Sequence, residues 1–187
     1  MDEKIPHLSG KEFEELLLAR GRFLQKQKIL CLGRYGVQGV LIGGEWKPIQ
    51  SYPDLEGDIA PHGRHIIIEA KVVSGASFAI TDESAFKEHQ KKHLLTRATF
   101  GSLCFVFLHF NARQLTNSEI PSKTFAIPVH PELPLWEDLR RGELKTLNWK
   151  TLENYEIPEV PWSPCGSRGV KLTPELEPFL NYEYDIN

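Results

Sequence analysis

The sequence predicts an α/β domain: a central mixed β-sheet flanked by helices, in the order helix, strand, strand, strand, helix, strand. Three observations carry that prediction. Residues 66–73 read Ile-Ile-Ile-Glu-Ala-Lys-Val-Val, a β-branched run that follows the turn formers Pro61 and Gly63. Ser102 to Leu108 is an apolar run with the character of a central strand. Apolar residues recur at helical spacing before the first run and between the two.

The first helix is expected from about Gly10 to Lys26. Ser9-Gly10-Lys11-Glu12 has the form of a capping box, and Phe13, Leu16, Leu17 and Leu24 follow at helical spacing. Short strand-like runs come next, at Lys28 to Gly33, Gln38 to Ile42 and near Trp46 to Tyr52, with Gly43-Gly44 as a hairpin turn. Pro53 ends an extended segment, and the chain turns through Ala60 to Arg64 into the strand at 66–73. A second helix is expected to open at Thr81-Asp82-Glu83, with Phe86, Gln90, His93 or Leu94, and Arg97 on its inward line. Thr124 to Val129 reads as a further strand and Leu135 to Arg141 as a short helix. The proline-rich remainder reads as an irregular strap. We divide the chain into a core domain, 1–129, and a C-terminal extension, 130–187, packing on the same domain.

A chain of 187 residues with 41% hydrophobic and 25% charged residues has the make-up of a soluble globular protein. No apolar run approaches the roughly 20 residues that span a bilayer, so no membrane partner is expected. The N-terminus lacks the basic-then-apolar order of a signal peptide, so a cytoplasmic location is expected. Cys31, Cys104 and Cys165 are widely spaced and read as buried thiols, neither a disulfide framework nor a metal site.

The net charge of -3 excludes a simple polycation that coats nucleic acid. Its distribution is uneven: residues 130–187 hold 11 acidic and 6 basic side chains, so the body carries the positive excess. Arg20, Arg22, Lys26, Lys28 and Arg34 fall in a stretch without acids, and Lys87, Lys91, Lys92 and Arg97 cluster near the second helix. Local basic patches on a near-neutral chain suit contact with phosphate over a limited surface.

Alternation along 66–73 puts Ile67, Glu69, Lys71 and Val73 on one face. Two charges in an otherwise apolar strand cost several kcal/mol unless partners or a metal compensate. Asp54 lies near Glu69 across the predicted hairpin, with Glu56 and Asp58 as rival carboxylates. Gln90 is a polar group on a core-facing line, and Glu14 borders the apolar stripe of the first helix. His89 and His93, four apart without an intervening metalloprotease glutamate, read as solvated or core-edge residues. We expect the Glu69–Lys71 face to be wet and to open toward the helix of Gln90.

Taken in order, these residues resemble the PD-(D/E)xK nuclease superfamily and, within it, the RecU/Hjc-type Holliday junction resolvases. The resemblance is carried by Phe13-Glu14, Pro53-Asp54-Leu55-Glu56-Gly57, Glu69-Ala70-Lys71, Ser77-Phe78, the helix Glu88-His89-Gln90-Lys91-Lys92-His93-Leu94, and the segment from Leu172-Thr173-Pro174 to Tyr182. It implies a restriction-endonuclease-like core and a Mg²⁺-dependent endonuclease, with Mn²⁺ substituting, acting on branched DNA as a homodimer. Asp54, Glu69 and the Ala70 carbonyl are then the metal ligands, Lys71 sits beside the attacking water, Gln90 holds Lys71 or the water, and Glu14 completes the site. Arg20, Lys91 and Lys92 are the expected phosphate contacts. The chain departs from the family in lacking a long basic stalk, its 36–52 segment being short and containing Gly43-Gly44. That keeps a duplex- or flap-cutting nuclease of the same fold as an alternative, with a non-catalytic DNA-binding protein third.

Overall fold

A computed structural model describes residues 7–34, 39–48, 53–114, 116, 119–165 and 171–184. In chain order the elements are α1 (Gly10–Lys26), β1 (Leu30–Arg34), β2 (Gly39–Ile42), β3 (Glu45–Pro48), β4 (Leu55–Ile59), β5 (Arg64–Val73) and α2 (Glu88–Thr99). There follow β6 (Leu103–Phe110), β7 (Arg113–Gln114), β8 (Glu119–Ile120), β9 (Lys123–Pro128), α3 (Pro134–Arg141), α4 (Trp149–Asn154), β10 (Trp162–Cys165), β11 (Lys171–Pro174) and a 3-10 turn, Glu177–Phe179. Five strands make the central sheet in the order β1-β4-β5-β6-β9. All neighbours are antiparallel except β5 and β6, which run parallel with α2 as their crossover. The sheet is therefore mixed and flanked by helices. Its core order α1, β1, β4, β5, α2, β6 is the expected one, interrupted by the β2–β3 hairpin.

Local chemistry accounts for the boundaries. Ser9 caps α1: the Glu12 amide donates to its hydroxyl at 3.3 Å, and the Ser9 amide donates to the Glu12 carboxylate at 2.8 Å. Gly43 and Gly44 both take positive φ, 63° and 84°, as a two-residue hairpin requires. The expected strand near Trp46 ends at Pro48, and 49–52 lie outside the described residues. The second helix does not open at Thr81. Asp82 instead accepts hydrogen bonds from the Ser84 amide and hydroxyl at 2.8 and 2.7 Å, a local turn that competes with helix, and α2 begins at Glu88.

The sheet separates two apolar layers. On one side α1 contributes Phe13, Leu17 and Leu24 against Ile66, Ile68, Phe105 and Phe107. On the other, Phe86 and Leu94 meet Ile67, Val73, Val106 and Leu108. β6 is buried along all of its length, as its composition predicts. Residues beyond 130 feed both layers: Val160, Leu176 and Phe179 on the α1 side, and Leu135, Trp136 and Leu152 on the α2 side. The tail is more regular than a strap, since β10 and β11 pair and Asn148 caps α4 by accepting from the Thr151 amide. Cys31 is exposed and Cys165 half-buried, correcting the expectation of three buried thiols; only Cys104 is fully enclosed. Among the described residues no helix is long and apolar enough to cross a membrane.

His109 is a buried histidine within the α1 layer. Its ring contacts Phe13 and Trp162, and its Nδ1 lies 2.8 Å from the Thr124 hydroxyl. Burial pushes its pKa from 6.5 down to about 4.

Two outcomes follow. A Cβ at Gly57 would land on the Cys31 carbonyl oxygen across the β1–β4 ladder, so Gly57→Ala should cost about 3 kcal/mol or more in urea unfolding. His109 is held neutral, so the stability it contributes is complete above pH 6.5 and is lost as pH falls toward 4. A His109→Gln variant should show a flatter melting temperature across that window, and an unchanged slope would exclude His109 as the acid-sensitive group.

Candidate active site

β4 pairs with β5 only as far as Leu55 opposite Ile68. Pro53 stands two residues earlier and has no N–H to continue a ladder. The Asp54 carboxylate takes the place of a strand partner, its Oδ2 accepting from the Ala70 amide at 2.8 Å. In a strand, one residue's N–H and C=O point to the same side, so the Ala70 carbonyl faces the same edge as Asp54. Asp54 is thus fixed to the backbone between Glu69 and Lys71.

Glu69 and Lys71 leave β5 on the α2 side, as alternation predicts. Glu69 Oε1 accepts from the Gln90 side-chain amide at 2.7 Å and pairs with Lys71 Nζ at 2.6 Å. Gln90 is oriented in turn by the Lys87 amide, which donates to its Oε1 at 3.3 Å. Glu69 Oε2 is enclosed and has no hydrogen-bond partner. This face is not wet: Glu69 is 0% exposed and the Lys71 side chain 19%. The physical reason is the start of α2, where Gln90 and the buried Phe86 seal the strand.

The electrostatics are those of a cation-poor site. Burial raises the Glu69 pKa to about 7, repulsion from the Asp54 carboxylate adds to this, and Lys71 and the Asp54 backbone amide oppose it. Asp54 is raised by burial, against the Ala70 amide, Lys71 and Arg34. Glu14, half-buried on α1, is raised by burial and by Asp54, with Arg34 and Lys71 opposing. Three carboxylates therefore face two cations, and one carboxylate oxygen has no donor. Asp54, Glu69 and the Ala70 carbonyl fit a hard divalent cation, which takes oxygen ligands and keeps several waters. Among the described residues no group of three or more His, Cys, Asp and Glu side chains is placed to hold a metal ion.

The rival acids go elsewhere. Asp58 and Glu56 lie 3.0 and 3.4 Å from the two ring nitrogens of His65. Two expected phosphate contacts need correction. Arg20 is buried, with Nε and Nη2 donating to Glu177 and Nη1 to Ser163, so it ties α1 to the tail. The Lys91 side chain is 9% exposed and lies 3.2 Å from Glu88, packed against Phe86. Lys92 is exposed on α2. His89 and His93 are half-buried, and burial with the nearby Arg97 lowers the His93 pKa.

Sequence reasoning missed Arg34 as a site residue. It sits opposite Leu55 in the β1–β4 ladder, beside Asp54, and pairs with Glu15 at 2.7 Å and Glu14 at 3.6 Å. Its place in a basic run was visible, but only the strand register brings it to the carboxylates.

No protein-family model and no curated protein matches the sequence. Among solved structures, the chain is similar to Hjc from Archaeoglobus fulgidus, a Holliday junction resolvase from an archaeal hyperthermophile determined at 1.6 Å. The TM-score is 0.42 and the identity 18%, over 78% of this chain and 93% of that one.

Replacing Glu69 by Gln should raise the melting temperature of the metal-free protein at pH 8, by roughly 5 °C. The folded-state pKa of about 7 lies above the ordinary 4.5, so ionisation penalises folding fully above pH 7 and not at all well below 4.5. The gain should shrink as pH is lowered through that window. An unchanged melting temperature at pH 8 would mean that the carboxylate is already compensated.

Proposed function

We propose that this protein is a Mg²⁺-dependent, structure-selective DNA endonuclease that resolves four-way junctions by paired symmetric nicks. The observation that supports it best is the meeting of Asp54, Glu69, Lys71 and Gln90 at the free end of β4, with the enclosed Glu69 Oε2 lacking a donor. Asp54, Glu69 and the Ala70 carbonyl would hold the cation, Mn²⁺ substituting for Mg²⁺. When bound, it supplies the charge that makes a water nucleophilic and neutralises a phosphate.

The chain's own residues do the rest. Gln90 fixes the Glu69 carboxylate through its amide, and Glu69 in turn holds the Lys71 ammonium at the site. Lys71 orients water and offsets negative charge building on the phosphate. Arg34, held at the mouth by Glu14 and Glu15, presents a guanidinium that suits a phosphate oxygen. Lys92 gives a sequence-independent backbone contact. Two opposed nicks need two sites about a two-fold axis, which makes the working form a homodimer.

A second reading, a nuclease of duplex or flap DNA, is favoured by one observation. Among the described residues, the connection from β1 to β4 carries the β2–β3 hairpin, four residues in each strand, where a junction-filling stalk would stand.

Wild-type protein with Mg²⁺ should cut a four-way junction into symmetrically nicked duplexes faster than matched duplex, flap or fork. Lys71→Ala and Glu69→Ala should each lower the rate by about 100-fold or more. Equal or faster cutting of duplex or flap selects the second reading, and a Lys71→Ala protein cutting at wild-type rate overturns both.

A further inference from the structure

We infer that Phe86 is a positioning residue for Lys71: its ring face, together with Glu69, holds the lysine ammonium at the site. The inference rests on the proposed nuclease reading and adds a residue outside the ordered motif that suggested it.

Phe86 is fully buried, immediately before α2, in the turn closed by its amide donating to the Asp82 carbonyl at 2.9 Å. Lys71 Nζ lies 5.4 Å from the centre of its ring, within the range of a cation–π contact. A lysine has four rotatable methylenes and would by default carry its ammonium into water. Here the Lys71 side chain is only 19% exposed, and among the described residues it has one carboxylate within ion-pair distance, Glu69 Oε1, at 2.6 Å. That oxygen also receives the Gln90 amide, so a single shared acceptor leaves the ammonium direction under-determined. The aromatic face supplies a second attraction from a different side, and it does so without a charge that would cancel the lysine's.

The ring has a further neighbour. Lys91 Nζ lies 5.7 Å from the same centre, and its side chain is nearly as enclosed. Two ammonium groups therefore converge on one phenyl ring. A ring drawn only by apolar packing gains nothing from two cations, whereas its negative face is attracted to both. The packing role is real as well, since Phe86 belongs to the α2-side apolar layer and contacts Phe78. The two roles predict different responses when shape is kept and the ring's charge distribution is altered.

The test replaces Phe86 with mono-, di- and trifluorinated phenylalanines, which keep the ring shape while draining its negative face, alongside Phe86→Leu. Two quantities are read: single-turnover cleavage of a junction with Mg²⁺, and the NMR relaxation of the Lys71 side chain in metal-free protein. Cleavage should fall stepwise with fluorination, reaching about 10-fold for the trifluorinated ring, with KM and the melting temperature little changed. Lys71 methylene mobility should rise in the same order, and Phe86→Leu should show both effects fully. If Lys71 mobility is indifferent to fluorination, the positioning role is overturned whether or not the protein cuts DNA. If wild-type protein cuts no DNA but Lys71 is released by fluorination, the nuclease reading fails and the contact between Phe86 and Lys71 stands.

Discussion

The carboxylate of Glu69 is enclosed in the middle of the sheet, and the neighbouring structure is arranged around it. Its Oε1 collects an ammonium and a side-chain amide, while its Oε2 makes no hydrogen bond of ordinary geometry, with the Asp54 backbone amide easing the carboxylate's charge. An ionised carboxylate in such a place is costly unless its lone pairs are met. Each surrounding feature has a role relative to that cost. β4 stops at Leu55, which frees the Ala70 edge for Asp54 and brings a second carboxylate close. α2 begins at Glu88, late enough for Gln90 to reach back onto β5.

The two faces of the sheet divide the work. The α1 side is closed by the tail through the Arg20–Glu177 pair and through Tyr184, whose hydroxyl accepts from the Cys104 amide. Arg64 adds a bond to the Tyr182 carbonyl. These contacts stiffen β5 and β6 from behind, at a distance from Glu69 and Lys71. The α2 side carries Glu69, Lys71 and Gln90. A site with misplaced charges needs such a backing, because the strand that bears them must not relax to expose them.

How much of this was legible in the sequence depended on how local each signal was. The Ser9–Glu12 box and the alternation along 66–73 rest on neighbours a few residues away, and both were read correctly. Gln90 stood out because a polar residue on an apolar line demands a partner, and Glu69 is that partner. Arg20 was misread because its partner Glu177 lies 157 residues on, and no local pattern distinguishes a buried arginine from a solvated one. Lys91 is enclosed against the Phe86 ring and paired with Glu88, and a lysine on a mixed helix carries no local mark of such enclosure. Arg34 needed the β1–β4 register, which periodicity does not supply. The Glu69–Lys71 face is drier than expected, with Glu69 buried and Lys71 half-buried, because alternation along a strand does not reveal what packs over it.

That sealing sharpens the chemical argument. On an open face, water would screen three carboxylates and two cations, and their imbalance would matter little. Here burial imposes the larger cost, which shows as raised pKa values at Glu14, Asp54 and Glu69, with repulsion from Asp54 adding to it at Glu14 and Glu69. Protonation relieves it, and so does a bound cation, but only the cation leaves the carboxylates charged and Lys71 drawn to them. The enclosure also limits which cation suits. In the proposed function the cation would complete its shell with water, the reactant that hydrolysis of a phosphodiester requires. The feature that makes Glu69 unfavourable to the fold is thus the same one that suits the site to the proposed reaction.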